Sequence, residues 1–160
     1  MDQTQVHRRA RAAGILLGLG LGGFVDGILL HQILHWHNML SARVPPSSME
    51  AMRTNMRADG LFHLGVWILT FSGVLLLWSA GRSPAPLPPM RYLIGLLFGG
   101  WGVFNLVEGV IDHHLLELHH VRDLPAHVPL YDYIFLLVGG LGFLVLGRVL
   151  TKSVGHSRAA

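Results

Sequence analysis

Residues 24–37 read Phe24-Val25-Asp26-Gly27-Ile28-Leu29-Leu30-His31-Gln32-Ile33-Leu34-His35-Trp36-His37. The segment begins inside an apolar run long enough for a transmembrane helix and ends in a cluster of imidazoles. An acid and several histidines are costly to place in lipid, so their side chains are expected to face other parts of the protein. The pattern therefore predicts a polar or metal-binding site inside a membrane protein.

The composition supports this class. Of 160 residues, 51% are hydrophobic and only 13% are charged, which is typical of an integral membrane protein. There is no cysteine, so disulfides, thiolate metal sites and cysteine nucleophiles are excluded, and a metal would need imidazole, carboxylate or thioether ligands. No basic run is interleaved with aromatic residues, so the expected partner is the lipid bilayer and no nucleic acid is expected.

Hydropathy predicts an all-α integral membrane protein with four transmembrane helices in a single domain, residues 1–160. The predicted helices cover approximately residues 12–37, 59–79, 91–119 and 132–150. Spans of about 20 residues match a bilayer core of ~30 Å. Before the second helix, Ser48 is predicted to cap a short separate helix that carries three methionines.

Lysine and arginine predict the orientation. Eight of the 12 basic residues lie at the N-terminus, in the second connection and in the C-terminal region: Arg8, Arg9, Arg11, Arg82, Arg91, Arg148, Lys152 and Arg158. The first and third connections hold the other four: Arg43, Arg53, Arg57 and Arg122. The positive-inside rule then places both termini in the cytoplasm and the histidine clusters near the outer face.

The first and third helices share a polar pattern. At an offset of 82 positions, Asp26-Gly27 falls on Glu108-Gly109, His31 on His113 and His37 on His119. The second and fourth helices match more faintly. This pattern predicts two repeated helical hairpins that form a bundle around a pseudo-two-fold axis along the membrane normal.

Histidines and acids near the predicted outer face are candidate metal ligands. They are His31, His35, Asp59, His63, Asp112, His113 and Glu117. Imidazole and carboxylate ligands suit copper, zinc or iron, and helical bundles build metal sites from such side chains. The alternative is that each histidine simply lies at the headgroup boundary and is hydrogen-bonded to water.

A second set of polar residues is predicted to orient the ligands or to relay protons. It comprises Asp26, Gln32, His37, Asn105, Glu108, His114 and Asp132. At ~100° per residue, Asp26 and His37 share one face of the first helix, whereas His31 and His35 share another. Polar contacts that only hold the helices together are the alternative for the acids.

Three other functions stay open from the residues alone. His31 and His113 could be axial ligands of a haem. Asp26 and Glu108 could serve a transporter that conducts protons or solutes. The chain could also be a noncatalytic accessory subunit, and no motif identifies a reaction or decides whether the protein is an enzyme.

The strings GGFVDGILLHQILHWHNML, RADGLFHLGVW and GGWGVFNLVEGVIDHHLLELHHVR carry a family resemblance. The chain resembles a family of small predicted bacterial membrane proteins, domain of unknown function 2243. The resemblance implies four spans in the bacterial inner membrane, and it suggests respiratory oxidase or its assembly factors as partners. In that family glutamine is more usual at His35 and glycine at Glu117, which favours His31, His63 and His113 as ligands.

Overall fold

The computed structural model describes residues 1–156, with side chains up to Lys152, so Arg158 lies outside the described residues. Within that range the chain is helical and has no strand. The four helices long and apolar enough to span a membrane are α1 (Gln3–Ile33), α2 (Met49–Gly81), α3 (Met90–Leu115) and α4 (Pro129–Lys152). The predicted all-helical membrane fold with four spans is confirmed.

Two helices begin earlier than hydropathy predicts. The α1 helix begins at Gln3, because Asp2 and Gln5 form a capping box there. Ser48 caps α2 as expected, by accepting a hydrogen bond from the Ala51 amide at 3.2 Å. However, α2 is one continuous helix of 33 residues rather than a short helix followed by a separate span. Hydropathy detects only the apolar part of a helix, so it misses such polar first turns.

The α1 and α3 helices end earlier than predicted and in the same way. Both widen into π-helical turns, over Asp26–Ile33 in α1 and Gly109–Leu115 in α3. The chain then reverses through a left-handed backbone at His35 (φ 51°) and Glu117 (φ 47°). A positive φ is uncommon for residues other than glycine, and it ends each helix at that point.

The central pair of helices is α1 and α3. The α2 helix packs on α1, and α4 packs on α3. In the 18-residue apolar segment of each helix, 44% of the residues are buried in α1 and 39% in α3. The corresponding share is only 11% in α2 and 11% in α4. The outer helices therefore present the apolar surface that lipid would cover, and the polar side chains are carried mainly by the central pair.

Contacts between the two halves recur at the offset of 82. The Leu124 amide donates to the Trp36 carbonyl at 2.8 Å, and the Ala42 amide donates to the Leu118 carbonyl at 3.0 Å. The residues of the pair Gly18 and Gly100, which are themselves 82 apart, lie against each other where α1 crosses α3. These reciprocal contacts are those expected of a two-fold arrangement.

The two ends of the bundle differ in the connections they carry. At one end the first connection contacts the third through the Ala42–Leu118 hydrogen bond. At the other end the Gln3 side chain donates to the Pro86 carbonyl at 3.1 Å, which joins the N-terminus to the second connection. The wide turns of α1 and α3 lie at the first of these ends, and the buried polar residues cluster there.

Substituting Gly18→Ala is expected to lower the free energy of unfolding by about 1–3 kcal/mol, because the added methyl group would overlap the Leu97 carbonyl oxygen and approach the Gly100 Cα atom at 2.9 Å. Gly99→Ala is the matched control, since a Cβ atom there meets nothing within 4 Å. Thermal unfolding in detergent measures both. Equal stability of the two variants would contradict the close approach.

Candidate metal centre

The wide turn of α1 builds the first group of candidate ligands. In an α-helix, residues five apart point about 140° away from each other, and i→i+5 hydrogen bonding reduces this angle. His31 Nε2 therefore lies 3.1 Å from Asp26 Oδ2. His37, beyond the left-handed residue, turns back so that its Nε2 atom lies 3.8 Å from the same oxygen. We call Asp26, His31 and His37 the first triad; all three are buried.

The wide turn of α3 builds an equivalent group. Glu108, His113 and His119 are buried, and each offers a ligand atom within 4.8 Å of the other two. His119 Nε2 lies 3.5 Å from Glu108 Oε1. We call these residues the second triad. Each member is 82 positions from its counterpart in the first triad, with glutamate in place of aspartate.

The two triads form one cluster. The rings of His37 and His119 stack with centroids 4.5 Å apart and planes inclined by 15°. The centroids of His31 and His37 are 4.3 Å apart, and those of His113 and His119 are 4.9 Å apart. Four imidazoles and two carboxylates therefore share one buried volume between α1 and α3.

Backbone carbonyls fix the rings at the centre of this cluster. His37 Nδ1 donates to the Val121 carbonyl at 2.9 Å, and His119 Nδ1 donates to the Met39 carbonyl at 3.1 Å. A carbonyl can only accept, so Nδ1 carries the proton in both rings and Nε2 has a free lone pair when the ring is neutral. Both Nε2 atoms face the carboxylates of their triads, which is the orientation that a metal ligand needs.

A carboxylate on an outer helix lies beside each of the other two rings. His31 Nδ1 lies 3.0 Å from Asp59 Oδ1 on α2. His113 Nδ1 lies 3.4 Å from Asp132 Oδ1 on α4. The His31–Asp59 contact is a hydrogen bond and resembles the carboxylate–histidine pairs that orient metal ligands, with Nε2 left to face the triad. The His113–Asp132 contact is not a hydrogen bond.

The cluster contains buried polar atoms that make no hydrogen bond. Within the described part of the chain, these buried atoms have no hydrogen bond: His37 Nε2, His119 Nε2, both ring nitrogens of His113 and both carboxylate oxygens of Glu108. Buried polar groups in proteins are nearly always paired, and an unpaired one costs about 1–3 kcal/mol. So many atoms without a hydrogen bond in one place could accommodate a bound ion or water.

His119 lies beyond the end of α3 and favours the neutral form. Burial lowers the pKa of His119 well below its usual value, and the neighbouring His37 and His113 lower it further. A neutral imidazole is the form that binds metals. No proton has to leave His119 before it can serve as a ligand at neutral pH.

The structure distributes the sequence-predicted ligands unevenly. His31 and His113 lie in the triads, and Asp59 contacts His31. His35 and Glu117 are exposed at the left-handed positions, and Glu117 pairs with Arg43 at 3.4 Å. His63 and Asp112 are half-buried and belong to neither triad.

The second predicted set is also divided. Asp26, His37 and Glu108, which were predicted to orient ligands or relay protons, lie in the triads, and Asp132 approaches His113. Asn105 is buried deeper in α3, whereas Gln32 and His114 are exposed.

Sequence reasoning did not name His119, His120 or His127 as a candidate site residue. His119 had a usable signal, because it is the repeat partner of His37. His120 and His127 join Asp132 in a third group of possible ligands. His127 had no signal, since it is a single histidine in a proline-containing connection.

A cavity of about 470 Å³ reaches the first triad from the side of α2. His31, Asp59 and His63 contribute to its walls, together with Met52 and Met56. His31 borders this cavity, but its side chain is itself fully buried, with 0% exposed.

The sequence matches the model of a family described as "Predicted membrane protein (DUF2243)" over residues 13–154. No curated protein and no solved structure matches the chain significantly. The family match covers most of the 160 residues and includes both triads. The protein is therefore a member of the DUF2243 family of predicted membrane proteins.

Proposed function

We propose that the protein is a membrane-embedded, non-haem metalloprotein in which each triad ligates one transition-metal ion. The observation that carries this proposal is the set of unpaired atoms that converge inside the cluster, on His37, Glu108, His113 and His119. Ligands at about 2.0–2.1 Å from one ion lie roughly 3.0–3.4 Å from each other. The carboxylate–imidazole distances, 3.1 and 3.8 Å in the first triad and 3.5 Å in the second, are close to this range, and all ligand atoms of a triad lie within 4.8 Å of one another.

Iron is the first choice of metal. Each triad offers two histidines and one carboxylate, which is the ligand set of non-haem iron sites with open coordination positions. Four-helix bundles also hold pairs of iron or manganese ions with carboxylates and histidines from facing helices. Copper and zinc accept the same ligands and are the alternatives, with copper supported by the methionines Met52 and Met56 in the adjacent cavity.

The bound ions would supply redox or Lewis-acid chemistry. The chain would hold them in fixed geometry, since Asp59 and the carbonyls of Met39 and Val121 constrain the rings. Burial of both triads would exclude bulk water. A redox or metal-handling role follows, and support of a respiratory oxidase or its assembly remains a prediction from the family resemblance.

We also propose that the protein lies in the bacterial inner membrane with both termini in the cytoplasm. The basic residues support this orientation, because the end that joins the N-terminus to the second connection carries most of them. The triads lie at the opposite end of the bundle, which would be the outer side.

Protein purified in detergent is expected to contain two tightly bound transition-metal ions per chain, or to take them up when loaded anaerobically. Elemental analysis and an optical spectrum on the same sample measure this. A haem Soret band without non-haem metal would favour the haem alternative through His31 and His113. Protein that neither carries nor accepts a stoichiometric metal would refute the proposal.

Proton transfer is the second candidate function. His31 lies between two carboxylates, 3.1 Å from Asp26 and 3.0 Å from Asp59, and this chain of groups could pass a proton. It also borders the cavity beside α2. A proton flux through vesicles that contain metal-free protein is the measurement that would favour this candidate.

A further inference from the structure

The histidine pair His120 and His127 stands outside the two triads. His127 Nε2 lies 3.1 Å and His120 Nδ1 lies 3.2 Å from the same oxygen, Asp132 Oδ2. The two rings stack with centroids 3.8 Å apart. The His127 side chain is 41% exposed and that of His120 is 18% exposed, whereas that of Asp132 is only 3% exposed. The group is therefore open on one side and anchored on a buried carboxylate.

The two oxygens of the Asp132 carboxylate contact different groups. Oδ1 accepts a hydrogen bond from the Val121 amide at 2.8 Å and lies 3.4 Å from His113 in the second triad. Oδ2 faces the two outer rings. His120 Nδ1 is buried and makes no hydrogen bond despite this proximity. A cation bound between this nitrogen and the carboxylate oxygen would satisfy both atoms.

The other half of the molecule lacks this group. Asp59 receives the Met39 amide at 2.8 Å, just as Asp132 receives the Val121 amide. The residue at the repeat position of His120 is Asn38, whose amide donates to Asp59 Oδ2 at 2.8 Å. An asparagine is therefore enough to complete the fold at this position. The histidine pair is an addition to the second half, beyond what the fold needs.

We propose that His120, His127 and Asp132 form an outer binding site for a divalent transition-metal ion of the Zn²⁺ type. Two imidazoles, one carboxylate and an open fourth position make up a common zinc coordination set. The present distances of 3.1 and 3.2 Å are close to the roughly 3.3 Å between ligand atoms around one tetrahedral ion. Asp132 connects this site directly to His113 of the second triad.

The test is a titration of the full-length, detergent-purified, metal-free protein with Co²⁺, whose absorption bands report the ligand geometry. The wild type is expected to bind three equivalents, two in the triads and a third in the outer site. His120→Asn and His127→Ala should each lose one equivalent. His120→Asn is expected to fold, because the first half uses asparagine at the same place. His114→Ala, which removes an exposed histidine outside the three groups, should keep all three.

A double variant, His37→Ala with His119→Ala, separates this proposal from the proposed function. It is expected to retain one equivalent with the spectrum of the outer site. A wild type that binds one equivalent, lost in His127→Ala, would support the outer site and refute the triads. Three equivalents in both His120→Asn and His127→Ala, or none in the double variant, would overturn the outer site.

Discussion

The double variant His37→Ala with His119→Ala is expected to lose both tightly bound ions. Each substitution removes an Nε2 atom that faces the carboxylate of its triad, at 3.8 Å in the first and 3.5 Å in the second. Loss of a residue that only orients a ligand typically lowers metal affinity 10–100-fold, so loss of one ligand per ion should lower it by more than about 100-fold. Elemental analysis after gel filtration, with a competing chelator, measures the loss.

Two exposed histidines provide the controls. His114→Ala removes an imidazole one residue from His113, and His35→Asn removes one while an asparagine tolerates the positive φ at that position. Both variants should keep the two tight ions. If His35→Asn lost metal as fully as the double variant, the ligand set predicted from the sequence would be preferred to the triads. Retention of both ions by the double variant would contradict the centre altogether.

The fold was predictable because hydropathy and the repeat are patterns that extend over whole helices. Four apolar spans were recognisable without any knowledge of packing. The offset of 82 positions alone showed that His31 and His113 occupy equivalent positions. The helix ends were less accessible. The Asp2 cap and the polar first turns of α2 depend on local hydrogen bonds, which carry no hydropathy signal.

The residue types of the candidate metal centre were predictable, but their grouping was not. A regular helix of 3.6 residues per turn places Asp26 and His31 on different faces, so the two residues were assigned different roles. The wide turn over Asp26–Ile33 brings His31 to 3.1 Å from Asp26. The residue types at these positions do not predict a π-helical turn, because the stability of such a turn depends on the contacts made in the folded bundle.

The left-handed residues His35 and Glu117 illustrate the same limit. Spacing along a regular helix places His35 four residues after His31 and suggests a ligand pair. The helix instead ends before His35, and the positive φ turns its side chain outward while it directs His37 inward. A helical wheel cannot represent that reversal, so it favoured the exposed His35 as a ligand over the buried His37.

Asp59→Asn is expected to weaken the ion of the first triad while leaving that of the second unchanged. Asp59 is buried on α2, and its Oδ1 atom lies 3.0 Å from His31 Nδ1. A neutral amide accepts the Nδ1 proton less strongly than a carboxylate, so His31 becomes a weaker ligand and its orientation is less fixed. We expect a loss of about 10–100-fold in affinity for one of the two ions, with the number of sites preserved at saturation.

Glu117→Gln is the matched control for this change, because it converts an exposed carboxylate to an amide outside both triads. Its two affinities should equal those of the wild type. Competition with a chelator of known strength gives the affinities, and the Co²⁺ absorption bands show which ion has changed. Because α2 packs on α1, a displaced α2 would also weaken the ion of the first triad, so thermal unfolding is measured on the same samples. Loss confined to the ion of the first triad, at an unchanged unfolding temperature, is the result that assigns Asp59 to the positioning of His31.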